Sequence, residues 1–458
     1  MVQVRNATRR SRVVKRVTGG MMALAGIALV VASIPSAFAV QVDGNTPLDP
    51  CLGDACPASW PEPNNGGVVG FDDGVSVFVG GDLTTGPSAA ETEGNLVVLG
   101  DASFDRGGGS YNVGVAGVGS RVPPPSGSTM LTVGGDLTIA DGTNLLVGGD
   151  TGFPDFAPII GDVEYGGTLT GTPSVVAGAT VAQGDGASAF AERVANVTAL
   201  SQCFADLPDT GTVTTADGLT SFTGDGVSDP QVFTIEGTLG NTQVAITGVD
   251  VQAGAHVVIN VTGDVAFANV NSWFIDGANT FDPDITQRIV TNFPDATTVE
   301  ITGGAQLPGS ILVGNPASTT TISVAGTNGR VEVAGDLVHR SPVGTQTGVE
   351  MHAYPFTGEC EIIPPTTTTA PPTTTAPPTT TAPPTTTPPT TPPPTTDAPT
   401  TAPATPTSAP TASPTTTPAP GPAGLAESGS PAGAMMAIGA VLLGSGLVTV
   451  LTARRRRA

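Results

Sequence analysis

The chain carries three histidines, His256, His339 and His352, and four cysteines, Cys51, Cys56, Cys203 and Cys360, among 39 aspartates and glutamates. These are the residue types that could move protons, attack a carbonyl or hold a metal. His352 stands beside Glu350, and His339 beside Asp336. A histidine next to a carboxylate does nucleophilic chemistry only when a serine or cysteine completes the constellation. The sequence has no Gly-x-Ser-x-Gly elbow, no His-Glu-x-x-His, no Walker loop and no dinucleotide fingerprint. The histidine–carboxylate pairs therefore read as structural hydrogen-bond partners, and the protein is not expected to be an enzyme. The enzymatic alternative is a glycan-active lyase or glycosidase, which needs two facing carboxylates. No spacing in the sequence singles out such a pair.

Metal chemistry fares similarly. Cys51 and Cys56 form a C-x4-C without a neighbouring histidine, a poor zinc pattern. In an exported chain four cysteines point to two disulfides, for which three connectivities exist. The nearness of the first pair favours Cys51–Cys56 with Cys203–Cys360. Turn aspartates such as Asp72, Asp73, Asp136 and Asp141 offer oxygen ligands for calcium, but no D-x-D-x-D-G loop or regular nonapeptide accompanies them. They read as turn formers on an acidic surface, so no cofactor is expected. An ice-binding face would require flat, regular Thr-x-Thr ladders, and threonines in that pattern are only scattered here.

The elements that would position these residues begin after a leader. Arg5, Arg9, Arg10, Arg12, Lys15 and Arg16 precede the apolar run "MMALAGIALVVASI" and the small residues Ala37 and Ala39. This is the order of a secretory signal peptide cleaved after Ala39, residues 1–39. Export removes Lys15, the only lysine, and with it lysine-dependent isopeptide cross-links and pilus polymerisation. With the leader and the terminal arginines Arg454–Arg457 set aside, all 39 acidic residues remain against Arg106, Arg121, Arg193, Arg288, Arg330 and Arg340. So acidic a surface repels nucleic acid and anionic lipid, which excludes nucleic acid as a partner.

Residues 40–65 form an N-terminal segment, and residues 66–363 read as one β-rich domain. Short apolar alternations recur there: "VSVFVGGDLTT", "GNLVVLGDASF", "TMLTVGGDLTI", "NLLVGGD", "HVVINVTGDVAF" and "GRVEVAGDLVH". Each has the two-residue period of a half-buried strand closed by a Gly-Asp turn. The aspartates of these pairs are Asp82, Asp101, Asp136, Asp150, Asp162, Asp264 and Asp336, at irregular spacing. One stretch differs: Phe190, Val194, Val197 and Phe204 recur at helical spacing and predict an amphipathic helix lying against the strands. The fold class is mainly β, a β-helix-like stack of short strands with one amphipathic α-helix. A sandwich is the alternative.

Residues 364–424 collapse to Pro, Thr and Ala, a composition with no side chains to build a core. As polyproline II, at ~3.1 Å per residue, this stalk reaches up to ~180 Å. Residues 425–458 follow: Leu425, Ala426, Glu427, Ser428 and Gly429, then an apolar stretch from Ala432 to Ala453, then four arginines. At ~1.5 Å per residue that stretch is ~33 Å long, enough to cross a bilayer as a C-terminal transmembrane helix with the arginines inside.

Motif, apolar span and basic tail resemble a sortase sorting signal, and LAESG resembles the LAxTG variant of high-GC Gram-positive bacteria. The resemblance implies attack by a sortase on the carbonyl of Ser428 and transfer to an amine of the cell-wall precursor. Leu425 and Ala426 would fill the recognition pocket, and Gly429 would leave. Ser428 stands where threonine is usual and keeps the hydroxyl. A plain membrane anchor is the alternative. The β-rich part in turn resembles the choice-of-anchor A domain of bacterial surface proteins, in "GDLTT…GNLVVLGDASF", the helix near Phe190, "NFPDATTVEITGGAQLPGSILVGNPASTTTI", "GRVEVAGDLVH" and "MHAYPFTGE". "LVGN" replaces the family's commoner "LAPN". That resemblance implies an extracellular, wall-anchored adhesin whose surface ligand, protein or glycan, is unassigned. A structural wall or coat component is the competing expectation.

Overall fold

The structure, a computed structural model, describes residues 45–152, 156–239, 243–342 and 348–360. The leader with Ala37 and Ala39, the stalk, and the tail with Leu425, Ala426, Glu427, Ser428 and Gly429 lie outside the described residues. The chain divides into one unit up to Thr369 and another from Ala370 onward, and all described residues belong to the first.

That unit is a parallel β-solenoid. Its first coil is β1 (Val75–Val79), β2 (Leu83–Thr85) and β3 (Ala89–Glu93); the second is β4 (Asn95–Val98), β5 (Ala102–Phe104) and β6 (Gly109–Gly114). β7 (Ser128–Val133), β8 (Leu137–Ile139) and β9 (Thr143–Gly149) form the third. β10 (Ile159–Tyr165), β11 (Leu169–Thr170) and β12 (Ser174–Val175) form the fourth, followed by β13 (Val181–Gln183). Equivalent strands pair in parallel, giving three faces: β1–β4–β7–β10–β13, β2–β5–β8–β11 and β3–β6–β9–β12.

The helix α1 (Arg193–Ala205) then carries the chain away, and β14 (Thr212–Ala216) and β15 (Leu219–Thr223) make an antiparallel pair. Five further coils follow. They are β16 (Gln231–Thr238) with β17 (Gln243–Thr247), and β18 (Val257–Asn269) with β19 (Ser272–Ile275). Next come β20 (Ile289–Phe293), β21 (Thr298–Thr302) and β22 (Leu307–Pro308), then β23 (Ser310–Val313), β24 (Thr319–Ile322) and β25 (Gly326–Asn328). The last coil is β26 (Val331–Val333), β27 (Asp336–His339) and β28 (Val349–His352).

The last coil docks on the first. Val331 is opposite Val77, Leu337 opposite Leu83 and Met351 opposite Thr92, all in parallel strands. The solenoid is therefore discontinuous in sequence: the chain starts in its middle, builds one end, and returns to build the other. The first face runs β16–β18–β20–β23–β26–β1–β4–β7–β10–β13.

Alternation explains the interior. Val77, Val79, Leu96, Val98, Leu131 and Val133 point inward from the first face, Leu83, Phe104 and Leu137 from the second, Tyr111, Val113 and Leu145 from the third. The first face is also covered outside, so β1 is buried at every position rather than at alternate ones. Phe78, Val97, Val232, Val258, Val290 and Leu312 form a second core with Val197 and Phe204 of the helix. Phe190 and Val194 pack at its edge. Burying a valine or leucine side chain in this way is worth roughly 1.5–3 kcal/mol. Polar groups fix the helix register: Asn260 Nδ2 donates to Phe204 O and Asn292 Nδ2 to Ser201 O, both at 2.9 Å. These bonds tie the last turn of the helix to the outer side of the first face.

Residues 45–72 pack on the same body. Arg193 Nη1 donates to Asp49 Oδ2 at 3.2 Å and its Nε to Glu332 Oε2 at 3.1 Å, with all three side chains buried. Arg330 donates to Asp72 Oδ2 at 2.8 Å and to the carbonyl of Asp49. Disulfides join Cys51 to Cys56 and Cys203 to Cys360, the latter across 157 residues.

Candidate functional site

The Gly-Asp pairs do more than turn the chain. Asp336 Oδ1 accepts the amide of Asp82 at 2.9 Å, Asp82 Oδ1 that of Asp101 at 2.8 Å, Asp101 Oδ1 that of Asp136 at 2.8 Å, and Asp136 Oδ1 that of Thr168 at 2.6 Å. Each carboxylate thus bonds the neighbouring coil at the corner between first and second faces. Corners this close leave no room for a side chain: a Cβ on Gly134 would lie 2.2 Å from Leu99 O, and one on Gly80 2.3 Å from Ala334 O. One expected turn is corrected by the structure: Asp162 lies within β10, at a bulge. At Asp264 β18 passes from the first face, where residues 257–260 pair with β20, to the second, where residues 265–269 pair with β21, so the strand takes the corner without a break. Among the described residues Asp150 makes a local bond, accepting from Gly152 N at 2.9 Å.

Next to this aspartate rank the second face presents hydroxyls. Thr84 is opposite Ser103, Ser103 opposite Thr138, and Thr138 opposite Thr170. Their neighbours Leu83, Ala102 and Leu137 point inward, which turns this rank outward. Parallel strands repeat at about 4.8 Å, so the four hydroxyl residues form a straight rank of that spacing. The threonines are scattered in sequence but aligned in the fold; the rank is one residue wide, not a Thr-x-Thr ladder. Across the seam it continues as Val338, Thr321, Glu300 and Phe267. Val265 is 59% exposed on the same strand as Phe267. The second face thus has a hydroxyl half and a mixed half.

The histidines are each engaged. His256 Nδ1 lies 2.9 Å from Asp229 Oδ1 at the surface, and its Nε2 3.2 Å from Thr357 Oγ1. His339 turns into the core, away from Asp336, and its Nδ1 lies 3.0 Å from the Tyr111 hydroxyl. Burial pushes the His339 pKa down to about 3 and the Tyr111 phenol up, so both are neutral. His352 does meet its sequence neighbour: Nε2 is 3.3 Å from Glu350 Oε2. Glu91, contributed by β3, joins them, and one ligand atom from each of the three lies within 4.8 Å of the others. Sequence spacing gave no sign of Glu91, because only the seam pairing of β28 with β3 brings it there.

Most of the turn aspartates weighed as calcium ligands are engaged within the fold. Asp72 Oδ1 accepts from Leu52 N and Gly74 N while Oδ2 takes Arg330, and Asp73 Oδ1 accepts from Ser128 Oγ. Asp136 belongs to the corner rank, and Asp141 is exposed in the turn between β8 and β9. Among the described residues no serine or cysteine is hydrogen-bonded to a histidine, and the Thr357 hydroxyl beside His256 donates to Gln287 O at 3.0 Å.

Among solved structures the fold is similar to ice-binding protein 1 of Shewanella frigidimarina, at 14% identity, covering 64% of this chain and 99% of that one, with a TM-score of 0.30. It is also similar to an ice-binding protein from the Antarctic ascomycete Antarctomyces psychrotrophicus, at 12% identity, covering 58% and 94%, with a TM-score of 0.22. No curated protein matches the sequence. The family described as "Putative Ice-binding-like adhesive domain" matches residues 74–343. With more than half of its length accounted for by that match, the chain belongs to the ice-binding-like adhesive domain family.

Proposed function

We propose that the protein is an exported, wall-anchored adhesin that meets a hydroxyl-rich surface glycan through the second face of its solenoid. The observation carrying this reading is the outward-facing rank Thr84, Ser103, Thr138 and Thr170, exposed at its ends and half-buried at Ser103 and Thr138, beside the carboxylates of Asp82, Asp101 and Asp136, in a chain belonging to an adhesive family. A rank one residue wide, bordered by carboxylates each with one oxygen committed to the fold, suits a linear polymer of sugar hydroxyls better than a crystal plane. Two disulfides accord with an extracellular setting.

The anchoring half of the proposal rests on sequence. A sortase would cleave after Ser428 while the apolar segment and Arg454–Arg457 hold the chain in the membrane, and the wall precursor would take the acyl group. The Pro/Thr stalk would then carry the head clear of the wall of a Gram-positive cell, as in the choice-of-anchor A proteins that the domain resembles. The test is mass spectrometry of C-terminal peptides after muramidase digestion of producing cells. A peptide ending at Ser428 and bearing a wall fragment is expected. An intact tail through Ala458 in the membrane fraction would contradict anchoring by sortase.

A further inference from the structure

His352 poses a local problem of charge. The Asn328 amide is oriented by Gln306, to whose Oε1 its Nδ2 donates at 3.1 Å. Its Oδ1 is thereby the acceptor 2.8 Å from His352 Nδ1, so that ring nitrogen carries the proton. His352 Nε2 is buried, makes no hydrogen bond, and is aimed at two carboxylates. Whenever Nε2 carries no proton it presents a lone pair to these oxygens, and a metal cation fits the place that the proton otherwise fills. Glu91 is 4% exposed, and its Oε2 is oriented by Gly117 N and Asn112 Nδ2, both at 3.0 Å.

We propose that Glu91, Glu350 and His352 form a site for a divalent transition-metal cation of the zinc class, which staples the first coil to the last. One nitrogen and two carboxylates make a mixed N/O ligand set of the kind zinc accepts, whereas calcium takes six to eight oxygens. The 3.3 Å between His352 Nε2 and Glu350 Oε2 is close to the edge of a tetrahedron; bonds of about 2.0–2.1 Å would give roughly that edge. Asn328 plays the part of the outer residue that fixes a ligating imidazole through its second nitrogen. Glu350, 30% exposed on its side chain, gives the ion its way in and leaves a fourth position for water. Glu91 lies on β3 and the other two ligands on β28, so the ion would close the seam where chain-distant strands meet.

The test uses the full chain, stripped with EDTA, dialysed, and offered zinc, with calcium in parallel. One retained equivalent of zinc, a rise of several degrees in Tm and no response to calcium are expected. Glu350→Gln should weaken zinc binding at least tenfold. The chain has three histidines and no free cysteine, so imidazole nitrogen resonances can locate the ion. Those of His352 should shift with zinc, and those of His256 and His339 should not. No retained zinc, or zinc that leaves the His352 resonances unmoved, overturns the proposal, and both readings hold on the wild-type chain even if Glu350→Gln does not fold.

Discussion

Asp82 Oδ1 accepts the amide of Asp101 at 2.8 Å, 19 residues along the chain but one coil away in space. The same bond recurs at the next corner between Asp101 and Asp136. The solenoid is thereby held at its edge by carboxylates as well as by its strands. Asp101→Ala should lower stability by about 1–2 kcal/mol, the cost of an unpaired amide, and Asp101→Asn by less because an acceptor remains. Gly134→Ala should cost more than either, since its Cβ would press on the backbone at Leu99 O. Urea midpoints of the three variants check that order.

Buried charge makes a second prediction. Arg193 is held between Asp49 and Glu332 with no exposure on any of the three. Arg193→Ala leaves two buried carboxylates unpaired and should destabilise the protein by about 3–5 kcal/mol. The loss should be read in denaturant midpoints and should loosen residues 45–72, seen as faster hydrogen exchange.

His339 has its pKa depressed to about 3, so its contribution is present above the unfolded value of 6.5 and is lost as pH falls below it. Asp49 runs the other way: burial raises its pKa to about 6, so its contribution is present below 3.8 and is lost as pH rises through 6. The Asp49 effect is common to the wild type and a His339→Gln variant and cancels between them. From pH 7 to pH 5 the wild type should lose about 2 kcal/mol relative to that variant. Parallel urea titrations at pH 7 and pH 5 measure the difference, and equal losses in both proteins would contradict it.

The two disulfides should differ in worth. Chain-entropy estimates give about 5 kcal/mol for a loop the size of Cys203–Cys360 and about 2 kcal/mol for Cys51–Cys56. A Cys203→Ser, Cys360→Ser variant should therefore lose more Tm than a Cys51→Ser, Cys56→Ser variant. The longer bridge also ties the helix carrying Cys203 to the end of the described chain.

Much of this architecture is legible in the residues themselves. "VSVFVGGDLTT" reads as strand, corner and strand because its apolar residues alternate, and it folds as β1 and β2. The spacing of Val197 and Phe204 marks the helix face that meets the solenoid. The pairing of β26 with β1 leaves no local trace, since it joins strands about 250 residues apart through hydrogen bonds that any sequence can make. The hydroxyl rank is hidden for a related reason. Thr84, Ser103, Thr138 and Thr170 are unevenly spaced because loops such as 115–127 lengthen some coils without disturbing the stack. Glu91 and His352 are unconnected in the sequence because only the seam pairing of β28 with β3 brings them together.

The most direct test of the adhesive face is binding of the purified full chain to a panel of surface glycans, compared with Thr84→Tyr, Thr138→Tyr carrying two bulky outward side chains. The reading expects the wild type to bind a glycan and the variant, folded by circular dichroism, to lose at least tenfold in affinity. Glycan binding of equal strength in both proteins, or ice shaping by the wild type without any glycan binding, would contradict it.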